Sequence, residues 1–341
     1  MPQSSRLSSP TITLAHGNGG RLMRELIDQL FAHYLHNDLL DTHNDAVALP
    51  LDSHEGVLVM TTDGFTVDPI EFPGGNIGSL AVHGTVNDLA VAGAKPLYLT
   101  LNAFLEEGLE MALLERVVKS MAQACRACGV KIVAGDTKVL QRGQGGGIYF
   151  ATTGVGVRAP ALRLGLGLIQ PGDAVVLSGT AGDHGTAILL AREQFGLSGS
   201  LLSDAASVLP ITTRLAALPG LRFMRDPTRG GIATIAHEIA TASHTAVRLY
   251  EAQIPIHAQV RVVADMLGYD PLYMACEGRV LAVMDAAIAT TAVQQLQAAG
   301  YAQAAVIGQI ESGRAHAILE TRLGGERILQ ELEDEPLPRI C

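Results

Sequence analysis

The chemistry of this chain is most visible in the placement of its aspartates. Asp63 follows the apolar run VLVMTT, Asp136 follows VKIVAG, and Asp45 opens the run AVALP directly after Asn44. Asp88 stands with Asn87 inside LAVHGTVNDLAVAGA, an otherwise apolar, small-residue helix. Carboxylates at strand ends of an α/β protein face the usual ligand crevice. A charge inside an apolar helix is costly unless something compensates it, and a bound cation does so. Acids with oxygen-only surroundings favour Mg2+, which takes a few carboxylates and completes its shell with substrate phosphates. Taken singly, Asp45, Asp63 and Asp136 also read as N-caps or turn acids; the four together make a metal–phosphate site the better account.

Neither the P-loop pattern nor the dinucleotide fingerprint occurs, so phosphate would have to be held elsewhere. Two glycine-rich turns offer backbone N–H groups for it: His16-Gly17-Asn18-Gly19-Gly20 before the first helix, and 179–185 after a strand. In Asp226-Pro227-Thr228-Arg229-Gly230-Gly231, ahead of the helical run IATIAHEIA, Arg229 faces an anion at a helix N-terminus or is a solvated arginine on a capped turn. Cys125 and Cys128 are spaced i, i+3 on a helix and read as core residues, and Cys276 as structural. Cys341 differs: it follows Pro336 and Pro338 on a stretch expected to be an extended tail, 332–341. The steps from Glu335 to Cys341 reach roughly 20 Å, enough to swing a thiol between a partner's site and an internal cleft.

These residues need a scaffold. A length of 341 residues is about twice that of one domain, and 48% hydrophobic residues supply a large core. A net charge of −10 with scattered basic residues argues against a nucleic-acid partner. No apolar run nears the roughly 18 residues of a membrane span, and the start MPQSSRLSSP lacks the apolar core of a signal peptide. Four cysteines make no disulfide framework at this length, so a cytoplasmic location is expected. Strands are expected over 57–61, 97–104, 131–134, 148–157, 174–178 and 280–285. Helices are expected over 22–35, 77–92 (with Asn76 as N-cap), 111–128, from about Gly185, and over 290–299. The stretch 158–172 reads as a domain junction, giving units 1–157 and 158–331 before the tail.

The segments NDAVALP, TTDGFTVDPIEFPGGNIG, HGTVNDLAVAGAKPLYLT, VAGDTKV, DPTRGG, ACEGR and the closing PRIC together resemble the HypE family of hydrogenase maturation factors, the carbamoyl dehydratases of [NiFe]-hydrogenase assembly. The resemblance runs from about His16 to Cys341, and PRIC is its most specific element. It implies an α/β (α+β) two-domain PurM-like fold: an N-terminal mixed sheet with helices that pairs in a homodimer, a C-terminal α/β domain, and a flexible tail. It implies ATP and Mg2+, with Asp45, Asp63, Asp88 and Asp136 holding metal and phosphates and Asn87 beside them; Gly19 and Gly20 of the first glycine-rich turn, and Arg229, are expected at the nucleotide from the anion-binding turns above. Cys341 would carry the carbamoyl group, with Glu277 and Lys138 as acid–base residues beside it. The family usually has paired acids where this chain has Asn44-Asp45. Implied partners are the carbamoyltransferase HypF as donor and the HypC–HypD complex as cyanide acceptor.

The chemistry asks for these parts. Converting –S–C(=O)NH2 to –S–C≡N expels a poor leaving group, the amide oxygen. Phosphorylation by ATP makes that oxygen leave, provided a base removes the N–H protons. Two other readings stand beside this one. A superfamily relative acting on a free small molecule would have no use for the terminal thiol, and a non-catalytic scaffold would not need Asp88 in an apolar helix.

Overall fold

The computed structural model describes residues 9–17, 21–40, 49, 55–192, 199–332 and 340–341. Helix α1 (Arg21–Leu26) continues through a π segment, Ile27–Phe31, into α2 (Ala32–Leu35). Strand β1 (Val57–Phe65) is followed by the short pair β2 (Glu71–Phe72) and β3 (Gly75–Asn76). Then come α3 (Ile77–Val91), β4 (Ala94–Glu106), α4 (Met111–Cys128), β5 (Lys131–Leu140) and β6 (Ile148–Arg158).

Helix α3 starts where it does because Asn76 and Ser79 form a reciprocal capping box, a device that stabilises a helix start by about 1 kcal/mol. The helix is buried on nearly every side, against β1 and β6 on one flank and α4 on another. Small residues permit this: a Cβ on Gly78 would come within 2.3 Å of the Val117 carbonyl of α4, and one on Gly84 within 2.7 Å of the Phe65 ring. Helix α4 buries Leu114, Val117, Val118, Met121, Ala122 and Cys125 along one stripe, as helical periodicity requires, and stops at Gly129 in the left-handed conformation.

The N-terminal sheet is ordered β1-β6-β4-β5, with only β4 and β5 parallel. Its register decides which side chains can meet. One row runs Asp63, Thr152, Leu101, Gly135, and the next Gly64, Ala151, Asn102, Asp136. The first row faces α3, since the Thr152 hydroxyl bonds to that of Thr85. Successive residues alternate between faces. Asp136 and Lys138 therefore lie on the opposite face, which also carries the exposed Leu58 and Met60.

The second half adds β7 (Ala174–Leu177), α5 (Asp183–Ala191), α6 (Leu209–Ala216), β8 (Leu221–Arg225), α7 (Gly231–Ser243) and β9 (Ala246–Tyr250). It continues with α8 (Ala258–Leu267), β10 (Leu281–Met284), α9 (Ala286–Ala298), β11 (Ala305–Glu311), β12 (Ala317–Glu320) and β13 (Glu326–Ile328). The seven strands form one mixed sheet, β13-β12-β9-β11-β7-β10-β8, and only β9 and β12 are parallel. The mixed α/β architecture is the expected class. One apolar core runs from α3 and α4 through α5 and α8 and takes in Ile340 from the far end of the chain. Among the described residues no helix is long and apolar enough to cross a membrane.

Two boundaries differ from the sequence reading in a way that matters. β1 continues past Thr61 to Phe65, and β5 past Ala134 to Leu140. Asp63, Asp136 and Lys138 thus sit within strands and not beyond them; pairing with β6 and β4 overrides the turn tendency of Asp and Gly.

Candidate active site

A cavity of about 620 Å³ opens where the edge strand β1 and α3 face the β8–α7 connection. Asp63 and Asp88 enter it from the first side, Asp226, Arg229 and Glu277 from the second, and Cys341 closes the group. Asp88 is held by the Thr61 hydroxyl, which donates to its Oδ2 at 2.8 Å, and Asp63 accepts the Gly64 N–H at 2.7 Å.

The second side is built from two motifs tied together by their backbones. The loop of residues 226–231 turns into α7 through Gly230 and Gly231, with φ of 69° and 57°; a Cβ on Gly231 would come within 2.5 Å of the Leu272 carbonyl. Both positions require glycine. The Pro227 carbonyl accepts the Cys276 N–H at 2.8 Å, which sets Glu277 beside Asp226. Glu277 is only 2% exposed. Its N–H donates to Asp204 Oδ1 at 3.2 Å and its carbonyl accepts from Asn87 Nδ2 at 2.9 Å. The backbone is thus pinned from both sides, while the buried Oε1 of its carboxyl makes no hydrogen bond.

The electrostatics follow from this crowding. Burial, followed by Asp226 and other nearby acids, raises Glu277 well above the ordinary carboxylate range. Asp226 is pushed up to about 7, first by burial and then by Asp88. Asp63 and Asp88 are also raised, mainly by burial. Four acids that resist ionisation around one cavity are suited to a cation, to phosphate-bound metal, or to holding protons. Among the described residues no three Asp, Glu, His or Cys side chains converge into a ready-made ligand set. Mg2+ would fit here on Asp63 and Asp88 with its remaining positions filled by phosphate oxygens and water.

The end of the chain is anchored in the same place. The Cys341 carbonyl accepts the Thr66 N–H at 3.1 Å and the Thr66 hydroxyl at 3.3 Å. The Ile340 carbonyl accepts from His184 Nε2 at 2.7 Å, and the Ile340 side chain is buried against α5. A carbonyl can only accept, so Nε2 carries the His184 proton.

The sequence candidates divide into three groups. Asp63, Asp88, Arg229, Glu277 and Cys341 come together at the cavity. Asp45, Gly19 and Gly20 lie outside the described residues, as does 333–339 of the tail. The remaining three are placed differently from expectation. Asn87 is 0% exposed and its amide is committed to the Ala206 and Glu277 carbonyls and the Val208 N–H; it supports Glu277 from behind instead of facing a nucleotide. Asp136 and Lys138 pair with each other at 2.7 Å on the far face of β5, exposed to solvent. Three inter-strand spacings separate β5 from β1, roughly 14 Å. Within one chain, Asp136 therefore does not join Asp63 and Asp88, and Lys138 does not stand beside Glu277.

Sequence reasoning passed over Asp226, although it named the loop, because only the charge of Arg229 drew attention. Thr66, His184 and Asp204 carried no signal of their own; their roles exist only through contacts made from distant parts of the chain. Cys125 and Cys128 pack into the core as expected, and burial pushes the Cys125 thiol up to about 12.

Two family models match: the N-terminal domain of AIR synthase related proteins over residues 43–158, and the C-terminal domain over residues 170–319. The chain is 44% identical over 338 residues to the carbamoyl dehydratase HypE of Azotobacter vinelandii, covering 98% of each. It is 42% identical to that of Escherichia coli K12, covering 97% of this chain and 99% of the relative. A solved structure of a hydrogenase maturation protein HypE in complex with ATP superposes with a TM-score of 0.91 at 43% identity, covering 97% of this chain and 100% of the other. A HypE–HypF complex matches with a TM-score of 0.78 at 38% identity, covering 90% and 99%. Thiamine-monophosphate kinase from Aquifex aeolicus, at 16% identity and a TM-score of 0.59, shares the fold.

Proposed function

The chain belongs to the HypE family of carbamoyl dehydratases, and we propose that it dehydrates a carbamoyl group carried on the thiol of Cys341 to a thiocyanate, consuming ATP. The observation that carries this reading is the position of Cys341, lining one cavity with Glu277, Asp63 and Asp88. The relative solved with ATP supports nucleotide as the phosphoryl source.

In this reading Thr66 and His184 hold the backbone of Ile340 and Cys341, so the thiocarbamate enters the cavity in one orientation. Transfer of the γ-phosphoryl to the carbamoyl oxygen gives –S–C(OPO3)=NH and ADP, with loss of one N–H proton. Cleavage of the C–O bond then gives –S–C≡N and phosphate as the second proton leaves nitrogen. Glu277, with a buried oxygen that lacks a partner, accepts the first proton in its ionised form, which the same burial makes a stronger base than an exposed carboxylate. Asp226 beside it is the neighbouring carboxyl through which that proton passes on. Asp63 and Asp88 would hold Mg2+, which supplies charge neutralisation at the phosphates when bound. Arg229, exposed at the cavity rim, faces the same phosphates.

The working unit in this proposal is a homodimer joined through the N-terminal sheets. The support is Leu58 and Met60, 57% and 70% exposed on the open sheet face, a costly display of apolar surface in a lone chain. Lys138, on that face, serves the partner's cleft. HypF as carbamoyl donor is supported by the solved HypE–HypF complex, and a HypC–HypD complex is the proposed acceptor of cyanide for hydrogenase iron. The test is intact-mass analysis after incubation with a carbamoyl donor system and then ATP. Wild-type protein gains one carbamoyl group and then loses one water, Glu277→Gln stops after the gain, and Cys341→Ala gains nothing. Carbamoylation of Cys341→Ala followed by loss of water would overturn the carrier role.

A further inference from the structure

Two consecutive residues in the stretch 199–208, ahead of α6, touch both halves of the site. Ser203 Oγ lies 2.7 Å from Nδ1 of His184, the histidine whose Nε2 holds the Ile340 carbonyl. Since Nε2 carries the proton, Nδ1 accepts from the Ser203 hydroxyl. Asp204, the next residue, accepts the N–H of Glu277 on Oδ1 and that of Gly278 on Oδ2, at 3.2 and 3.3 Å.

Little slack exists between these contacts. The Ser203 N–H donates to the Pro73 carbonyl at 2.8 Å, and Ser203 Oγ accepts the Ala205 N–H. A Cβ on Gly278 would stand 1.9 Å from the Asp204 carbonyl oxygen, so the two backbones are in direct contact. Two residues further on, Asn87 clamps the Ala206 carbonyl to the Glu277 carbonyl. Arg279 closes the arrangement, 3.5 Å from Asp204 and 3.1 Å from Asp183. A shift of this segment moves the peptide that carries Glu277, and a shift of His184 moves the segment.

We propose that Ser203-Asp204 couples docking of the chain end to alignment of Glu277, with Asp204 as a positioning residue that acts through the Glu277 backbone. The tail at Ile340 and the acid at Glu277 then settle together, and the acid is aligned when a loaded thiol is present. This rests on the reading of Glu277 as proton acceptor for its catalytic meaning, but the mechanical coupling can be measured without any turnover.

The experiment follows alkylation of Cys341 by iodoacetamide in the full chain, with the site assigned by peptide mass; Cys125, Cys128 and Cys276 are buried. The Asp204 carboxyl holds the Glu277 and Gly278 N–H groups, yet Asp204→Asn is expected to speed Cys341 alkylation roughly threefold or more, a modest coupling between neighbouring groups. Single-turnover dehydration of carbamoylated Asp204→Asn at saturating ATP is expected to be about tenfold slower with ATP affinity unchanged. Adding His184→Asn to Asp204→Asn should slow it little further. Asp204→Glu keeps the charge facing Arg279 while displacing the carboxyl from the Glu277 N–H, and carries the same test if the Asn variant does not fold. Unchanged Cys341 alkylation in folded Asp204 variants, or single-variant losses that simply multiply in the double variant, would overturn the coupling. Failure of wild-type protein to dehydrate would instead count against the proposed reaction, and the alkylation rates would still decide the coupling.

Discussion

Thr66 holds Cys341 by two hydrogen bonds to one carbonyl oxygen, from its backbone N–H at 3.1 Å and its hydroxyl at 3.3 Å. Thr66 comes directly after Phe65, the residue that ends β1 in the core beneath Gly84. The grip on the thiol-bearing residue is therefore mounted directly beyond the end of the strand that presents Asp63. Residues 275 positions apart meet here only because the chain end returns to the N-terminal half.

This grip predicts a narrow tolerance at Cys341. Two glycines appended after Cys341 would have to leave the cavity past Thr66 and Asp63. Dehydration of the carbamoylated protein should fall by at least about tenfold, since a displacement near 1 Å at a reacting group costs that much or more. ATP affinity, measured by calorimetry, should be unchanged. Full turnover by the extended protein would show that the docked position is not the reacting one.

Asp226 gives a prediction about pH. Its ordinary value is 3.8 and its folded value about 7, raised by burial and then by Asp88. The folded protein thus keeps a proton that the unfolded chain has released. The associated destabilisation begins near pH 4, grows as pH rises to about 7, and is constant above that. Asp226→Asn removes it. In metal-free protein the variant should gain on wild type between pH 5 and pH 8 by a few kcal/mol, at about 1.4 kcal/mol per pKa unit. Urea denaturation at the two pH values measures this directly. An equal difference at both would mean that the carboxyl is not crowded as described.

Most of the fold was legible because its signals are local. Asn76 and Ser79 cap α3, the stripe from Leu114 to Cys125 marks α4, the Leu, Tyr and Phe side chains of 97–105 mark β4, and alternating burial with Ile148, Val155 and Val157 marks β6. The acid positions along the sequence were legible too, but their grouping was not. Asp63 and Asp136 look equivalent in sequence, each following an apolar run. Which face each takes depends on the β1-β6-β4-β5 register, and that register puts them on opposite sides. Asn87 misled for a related reason: its neighbour Asp88 lines the cavity, while one residue's rotation on α3 turns Asn87 into the packed interior.

Asp88 should matter for metal-bound nucleotide and little for the fold. The Thr61 hydroxyl that donates to Oδ2 can donate equally to an amide oxygen, so Asp88→Asn keeps its hydrogen bond and loses only charge. ATP titrated with Mg2+ should bind the variant about ten- to a hundredfold more weakly than wild type, and ATP with EDTA should bind both alike. A melting temperature near that of wild type confirms that the fold is intact. Equal affinity with Mg2+ would remove Asp88 from the metal site.

The last prediction concerns Lys138, whose pairing with Asp136 on the open face keeps it away from Glu277 of its own chain. The cavity runs along β1, one edge of the N-terminal sheet, and Lys138 stands on β5, the other edge. In the proposed dimer, which joins these sheets, the Lys138 of one chain would serve the cleft of the other. Lys138→Ala and Glu277→Gln proteins should each be inactive in dehydration. Mixed and allowed to exchange subunits, they form heterodimers in which one cleft holds an intact Glu277 and faces an intact Lys138. Activity should then appear on mixing, at up to about one quarter of the wild-type rate per chain, since statistical exchange makes half the dimers mixed, each with one competent cleft. If Lys138 acted within its own chain, every cleft in the mixture would lack one of the two groups. An inactive mixture that demonstrably contains heterodimers would therefore return Lys138 to its own chain.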